Sequence, residues 1–156
     1  MTVKTQGTQI WFVSTLGTDR LLVLLNAATA ISGLGGPAGQ IDTTDLSALV
    51  DKTFVRGLGV PASVSVPFNL NPGDVSQADL FLLKTQGNVL TWLIGLSESA
   101  DTPTLHPDLT FTMPATRSWI EFTGYISDVT IDIATDQIVK GTLAVQRSGA
   151  VTYTPL

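Results

Sequence analysis

The sequence predicts a mainly β protein with one flanking α-helix and one long connection between strands. Three observations predict it. Residues 117–149 alternate apolar and polar along two arms around a turn, the period-two signature of a long hairpin. Shorter alternating runs recur along the chain, separated by clusters of Gly, Pro, Asn and Asp. Only the segment after Asp74 carries apolar residues at helical spacing behind a capping sequence.

The first strand is read over residues 8–14, with Ile10 and Phe12 opposite Trp11 and Val13. Gly17-Thr18-Asp19 forms a turn, and Arg20 to Ile31 gives a second strand or pair of strands. Its apolar run lacks a clear period, and the alanine-rich Asn26–Ala30 leaves a helix open there. Ser32 to Val60 opens SGLGGPAGQ and closes RGLGVP. A connection this long is uncommon in a compact domain and is usually functional or mobile. Its glycines fit neither the dinucleotide fingerprint nor the P-loop spacing, and Pro37 stands where a phosphate-binding helix would begin. It reads as a pliable flap carrying Ile41, Leu46, Leu49 and Phe54 to be buried in a partner.

Val64, Val66 and Phe68 alternate with Ser63, Ser65 and Pro67 in the next strand, and Pro67 points to an edge position. Asn71-Pro72-Gly73-Asp74 turns into the helix, where Asp74 and Gln77 resemble a capping box. Val75, Ala78, Leu82 and Leu83 supply its apolar stripe, and Lys84 followed by Gly87 closes it. Asn88 to Ser97 is a strand, Glu98 to Pro107 a surface loop, and Leu109, Phe111 and Met113 a short strand. In the hairpin, Ile120, Phe122, Gly124 and Ile126 share one side, opposite Trp119, Glu121, Thr123 and Tyr125. Downstream the apolar positions are Val129, Ile131 and Ile133, so the phase slips from even to odd. A bulge near Ser127–Asp128 supplies the extra residue. After the Ala134–Gln137 turn, Val139, Leu143 and Val145 point inward, with Lys140, Thr142 and Gln146 facing away. Val151–Thr154 adds a final strand. Arms longer than the usual strand of roughly five or six residues suit a sheet extended by further copies of the chain.

Composition points the same way. At 156 residues the chain is read as one domain, 1–156. Charged residues are 13 % of it, against roughly 25 % in ordinary globular domains, while apolar residues reach 44 %. So few charges suit a surface meant for partners. The net charge is −5, concentrated in residues 74–136, where nine acids face only Lys84 and Arg117. No basic cluster for gripping phosphates exists, so DNA would be repelled rather than held. There is no cysteine, which excludes disulfides and thiolate metal sites. Nor is there a signal-peptide pattern, or a run near the roughly 20 apolar residues that cross a bilayer, so membrane insertion is not expected.

Catalytic chemistry is thin. His106 is the sole histidine, which rules out ordinary zinc sites, and Asp42, Asp45 and Asp51 lack the spacing and bidentate Glu of a calcium loop. No serine sits in a nucleophile elbow. Trp11, Trp92 and Trp119 fall in strands, where packing is the default role. The expectation is a non-enzymatic chain without cofactor or metal.

The succession of features resembles a family. A GTQIWFV strand precedes a glycine-flanked loop with IDTTDLSALVDKTFVRGL, then NLNPGD before a helix and a Trp-containing strand. WIEFTGYISDVTIDIATDQIVKGTLAVQRSG follows. This order resembles the major tail tube proteins of long, flexible-tailed bacteriophages (siphophages). The resemblance implies a β-sandwich or barrel-like fold with a flanking helix, without the additional C-terminal immunoglobulin-like domain of some relatives. It implies hexameric rings that stack into a hollow tube through which DNA passes, with a tape-measure protein and tail-tip and tail-terminator proteins as further partners. The chain would be made in the host bacterial cytoplasm and end in the virion tail. On that reading Ser32–Val60, with Ile41, Leu46, Leu49 and Phe54, contacts the next ring, and Trp119–Val145 forms lumen wall. Asp128, Asp132 and Asp136 are the acids expected in the lumen. The tube of a contractile tail or secretion system, and a small β-sandwich carbohydrate- or protein-binding module, are the alternatives.

Overall fold

A computed structural model describes residues 2–156. Its organising element is a 14-residue strand, Trp119–Asp132, which serves two neighbours in succession. The strands in chain order are β1 (Gln9–Ser14), β2 (Leu21–Leu24), β3 (Ala38–Asp42), β4 (Phe54–Gly59) and β5 (Ser63–Asn69). After helix α1 (Val75–Gln86) come β6 (Leu90–Gly95), β7 (Thr104–Leu105), β8 (Phe111–Thr112), β9 (Trp119–Asp132), β10 (Lys140–Arg147) and β11 (Thr152–Thr154). The main sheet runs β2-β1-β6-β9-β10-β5, antiparallel throughout, with β11 also paired to β9. The first half of β9 pairs β6 and its second half pairs β10, so the sheet wraps around one core.

The wrap nearly closes into a barrel. Beyond β2 the chain leaves β1 and turns to β5, where Ala27 accepts from the Asn69 amide and Thr29 donates to the Pro67 carbonyl. Ser32 and Ser65 exchange backbone bonds at 3.0 and 2.9 Å. These pairings, with Ala27 at φ 60°, replace the helix left open for Asn26–Ala30. Pro67 is indeed at the sheet margin, offering its carbonyl to a passing segment where it has no N–H to give.

Inside lie Ile10, Phe12, Val64, Val66, Phe68, Trp92, Phe122, Ile126, Leu143 and Val145, capped by Leu80 and Leu83 of α1. Trp11, Leu93 and Trp119 form a smaller cluster on the opposite face of the sheet. Arg117 is buried against it, its guanidinium carbon 5.4 and 5.1 Å from the Trp11 and Trp119 rings. It donates to the Gln9 side chain and to carbonyls of Gly7, Gly95 and Asp101. Burial lowers its pKa, while Asp101 and Glu98 favour the cation.

The bulge lies where the sequence places it. Leu143 faces Val129 and Ala144 faces Asp128, but Val145 faces Ile126, leaving Ser127 surplus. Its hydroxyl donates to the Ala144 carbonyl at 3.1 Å. Phe122, Gly124 and Ile126 are buried upstream and Val129 downstream, as the phase slip requires, whereas Ile131 and Ile133 beyond it are exposed.

Two details of α1 differ from expectation. The Asp74 carboxylate caps Ser76 N–H at 2.9 Å and accepts from the Ser76 hydroxyl at 2.6 Å, and chiefly the hydroxyl bond holds its pKa below the ordinary value. Gln77, however, does not reach back to complete a box; its oxygen accepts from the Asn71 amide and its nitrogen donates to the Asn26 and Asn69 carbonyls. The buried stripe is Ser76, Gln77, Leu80 and Leu83, whereas Val75 and Leu82 face solvent. Gln77 takes the inward position by bonding three backbone groups at once, which satisfies its own buried amide. Gly87, at φ 67°, ends the helix by donating to the Leu83 carbonyl.

Candidate assembly surfaces

Residues 32–60 are not the structureless flap expected. β3 and β4 pair as a two-stranded arm, and hydrogen bonds between Thr43, Thr44 and Thr53 extend the pairing towards the tip. Glycine hid the strands: Gly39 and Gly57 come so close that a Cβ on Gly57 would stand 3.3 Å from the Gly39 carbonyl. The arm is held at its root by Arg147, whose Nε donates to the Ala62 carbonyl at 3.1 Å and whose Nη2 donates to Gly35.

The arm is apolar where it meets solvent. Leu46 and Leu49 at the tip keep 105 % and 94 % of their full exposure, and Ile41 and Phe54 keep 55 % and 51 %. Val50, Val55 and Leu58 are exposed as well, and the sequence reading missed them. In register Ile41 faces Val55, whereas Asp42 faces Phe54 and Gln40 faces Arg56. Ile41 and Phe54 therefore lie on opposite faces of the arm, not on one. A two-stranded hairpin apolar on both faces has no core of its own.

The second surface is the outward face of β9, β10 and β5. Register places Asp128, Thr130 and Asp132 across from Ala144, Thr142 and Lys140, which face Ser65, Pro67 and Asn69 in turn. These side chains are small, hydroxylic or amide-bearing, apart from the charges and Pro67, and the exposed Tyr125 opposite Gln146 continues the face. The three acids expected on the hairpin differ in setting. Asp128 pairs with Lys84 of α1 at 2.6 Å, and that bond holds its pKa below the ordinary value. Asp132 lies opposite Lys140. Asp136 sits in the connecting turn at φ 58°. The strip is thus close to charge-balanced rather than strongly acidic.

His106 meets the Thr112 hydroxyl at 2.6 Å, and the neighbouring Asp108 carboxylate is engaged by Thr110. Among the described residues no three His, Cys, Asp or Glu side chains gather as a metal site.

With these surfaces described, the comparisons with known proteins decide the family. A family model described as phage tail tube, TTP, lambda-like, matches residues 1–156. The chain belongs to the lambda-like phage tail tube family. Structural protein 3 of Pseudomonas phage PAJU2 is 32 % identical over 159 residues, covering 98 % of this chain and 94 % of that one. This tail tube protein is accordingly a structural component of the virion tail. The SPP1 tail tube superposes with a TM-score of 0.68 at 13 % identity, covering 99 % of this chain and 80 % of that one. The tail of an empty gene transfer agent particle, refined with C6 symmetry, gives 0.65 at 15 % identity, covering 98 % and 99 %. A chain of the sheath–tube complex of an extracellular contractile injection system gives 0.61 at 12 %, covering 95 % and 89 %. The fold is therefore shared with phage, gene transfer agent and contractile injection assemblies, and it is the family match that assigns this chain to phage tail tubes.

Proposed function

We propose that this tail tube protein forms hexameric rings that stack into the tube of a long flexible tail, with DNA passing through without specific binding. The observation that carries the reading is the arm, which projects exposed leucines and a phenylalanine that its own chain leaves uncovered. Ile41, Leu46, Leu49 and Phe54 make the ring-to-ring contact. The β9–β10 hairpin supplies wall, and its polar outward face lines the lumen, with Asp132 and Asp136 as the acids not tied to α1. A lumen without basic clusters gives a polyanion little to adhere to. Six-fold order is supported by the C6 gene transfer agent tail of similar fold. A tape-measure protein, tail-tip and tail-terminator proteins are the further partners, residues 1–156 act as one tube domain, and the role is structural rather than catalytic.

Negative-stain electron microscopy over a concentration series tests this reading, with seeding by a tail-tip complex. Hollow tubes are expected, together with their loss in Leu46→Asp and Phe54→Asp at an unchanged unfolding midpoint. A monomer at every concentration, seeded or not, would sink the reading. Variants that polymerise normally while losing stability would remove the arm from the contact.

A further inference from the structure

The root of the arm carries a cleft that matches its own tip. A space of about 510 Å³ is lined by Leu34, Val60, Pro61 and Val151, with Arg56 and Arg147 at its edge. Among the described residues no carboxylate lies within ion-pair distance of either arginine. Arg147 is 6 % exposed, and its Nε and Nη2 are engaged by Ala62 and Gly35, while Nη1 has no hydrogen-bond partner among the described residues. These two guanidiniums stand beside aliphatic walls, Arg56 exposed and Arg147 buried behind it. They call for an occupant that is acidic and aliphatic together.

The arm tip has that chemistry. Asp45 and Asp51 flank Leu46, Leu49 and Val50, and all of these residues are exposed. The tip cannot reach the cleft of its own chain, because the paired strands between them span about 20 Å at roughly 3.3 Å per residue. A tip-to-root contact can therefore form only between copies. Such a contact is head-to-tail, so it does not close on a pair but either closes a ring or propagates along an axis. The assignment of the arm to ring-to-ring contact selects the second.

Resting on the assignment of the arm to ring-to-ring contact, we infer that the Arg56–Arg147 cleft at the arm root receives the Asp45–Asp51 tip of a copy in the next ring. Leu46 and Leu49 fill the aliphatic part, and the flanking carboxylates meet the guanidiniums.

The absence of native cysteine allows a direct test. Leu46→Cys and Val60→Cys are combined in one chain, tubes are grown under reduction, and the tubes are then oxidised. A ladder of covalent oligomers is expected, absent from either single variant and from Leu46→Cys with Leu21→Cys. Tubes that give no ladder, or a stronger one with Leu21→Cys, overturn the cleft assignment and leave the tube reading standing. If the unmodified chain never forms tubes, both fall. Independently, Arg56→Glu should raise the concentration needed for growth by roughly tenfold or more. Asp45→Arg in the same chain should restore growth; equal growth of Arg56→Glu and the unmodified chain also overturns the assignment.

Discussion

Deleting Ser127 should be nearly harmless to folding, whereas deleting Thr123, four residues upstream in the same strand, should not. Ser127 is the surplus residue of the bulge. Without it, Ile126, Asp128 and Val129 follow as in, out and in, and every downstream side chain keeps its face. The loss is one hydroxyl-to-carbonyl bond to Ala144, worth about 1 kcal/mol. Without Thr123, the strand can realign only by closing the bulge, which turns Ile126 outward and puts Ser127 in its place. Tyr125 then enters the Gly124 position, where even a Cβ would stand 2.6 Å from the Gln146 carbonyl oxygen. Losing a buried isoleucine costs about 2–5 kcal/mol before the clash is counted, a large part of the roughly 5–15 kcal/mol that holds a typical domain together. Urea unfolding of the monomer, followed by near-ultraviolet circular dichroism of the buried tryptophans, separates the two. Equal destabilisation by both deletions would refute the register argument.

Three further perturbations follow from the packing. Gly141→Ala puts a Cβ 2.4 Å from the Phe68 ring and should cost about 1–3 kcal/mol in urea unfolding, partly recovered by Phe68→Leu. Asp74→Ala should cost about 1 kcal/mol. Because the Ser76 bonds lower the folded-state pKa below 3.8, that contribution is complete above the unfolded carboxylate range and fades as pH falls through the folded value, so the two thermal midpoints should converge in acid; a constant gap would refute the capping role. Arg147→Met leaves the Gly35 and Ala62 carbonyls without their donor, at about 1–3 kcal/mol. Limited proteolysis should then cut within residues 33–62 well before the body, and unchanged resistance would show that Arg147 does not hold the root.

Much of the fold was legible because period and capping are local. β5 appears where Val64, Val66 and Phe68 alternate, α1 ends at Gly87, and the bulge announces itself as a change from even to odd. The failures come from tertiary terms. Asn26–Ala30 has helical composition, yet its backbone is taken by the margin of β5. The inward face of α1 was misjudged because Gln77 reads as surface until its three backbone partners are known. The arm was hidden by glycines that are depleted from most strands but permit the approach of β3 and β4. For the assembly surfaces, hydrophobicity alone identified Ile41, Leu46, Leu49 and Phe54, but only register shows that two of them point in opposite directions. The lumen acids were chosen by charge and position on the hairpin, and the Lys84 partner of Asp128 comes from a helix more than forty residues away in sequence.

The division between body and arm has a consequence for how a tube grows. The core is complete within one chain, since both halves of β9 and α1 bury their apolar residues against one another. The arm is the reverse, a hairpin of two short strands with apolar side chains on both faces and nothing of its own to cover them. One flat partner hides one face, so an arm seated in an assembly needs cover on two sides. More than one neighbouring surface must supply that cover, and an arm covered on one side only remains partly unsatisfied. Addition of a subunit is then favoured most where both covers already exist, at the rim of a completed ring, and least between free subunits. A folded body combined with an arm stabilised only by assembly thus favours elongation over nucleation through packing geometry alone.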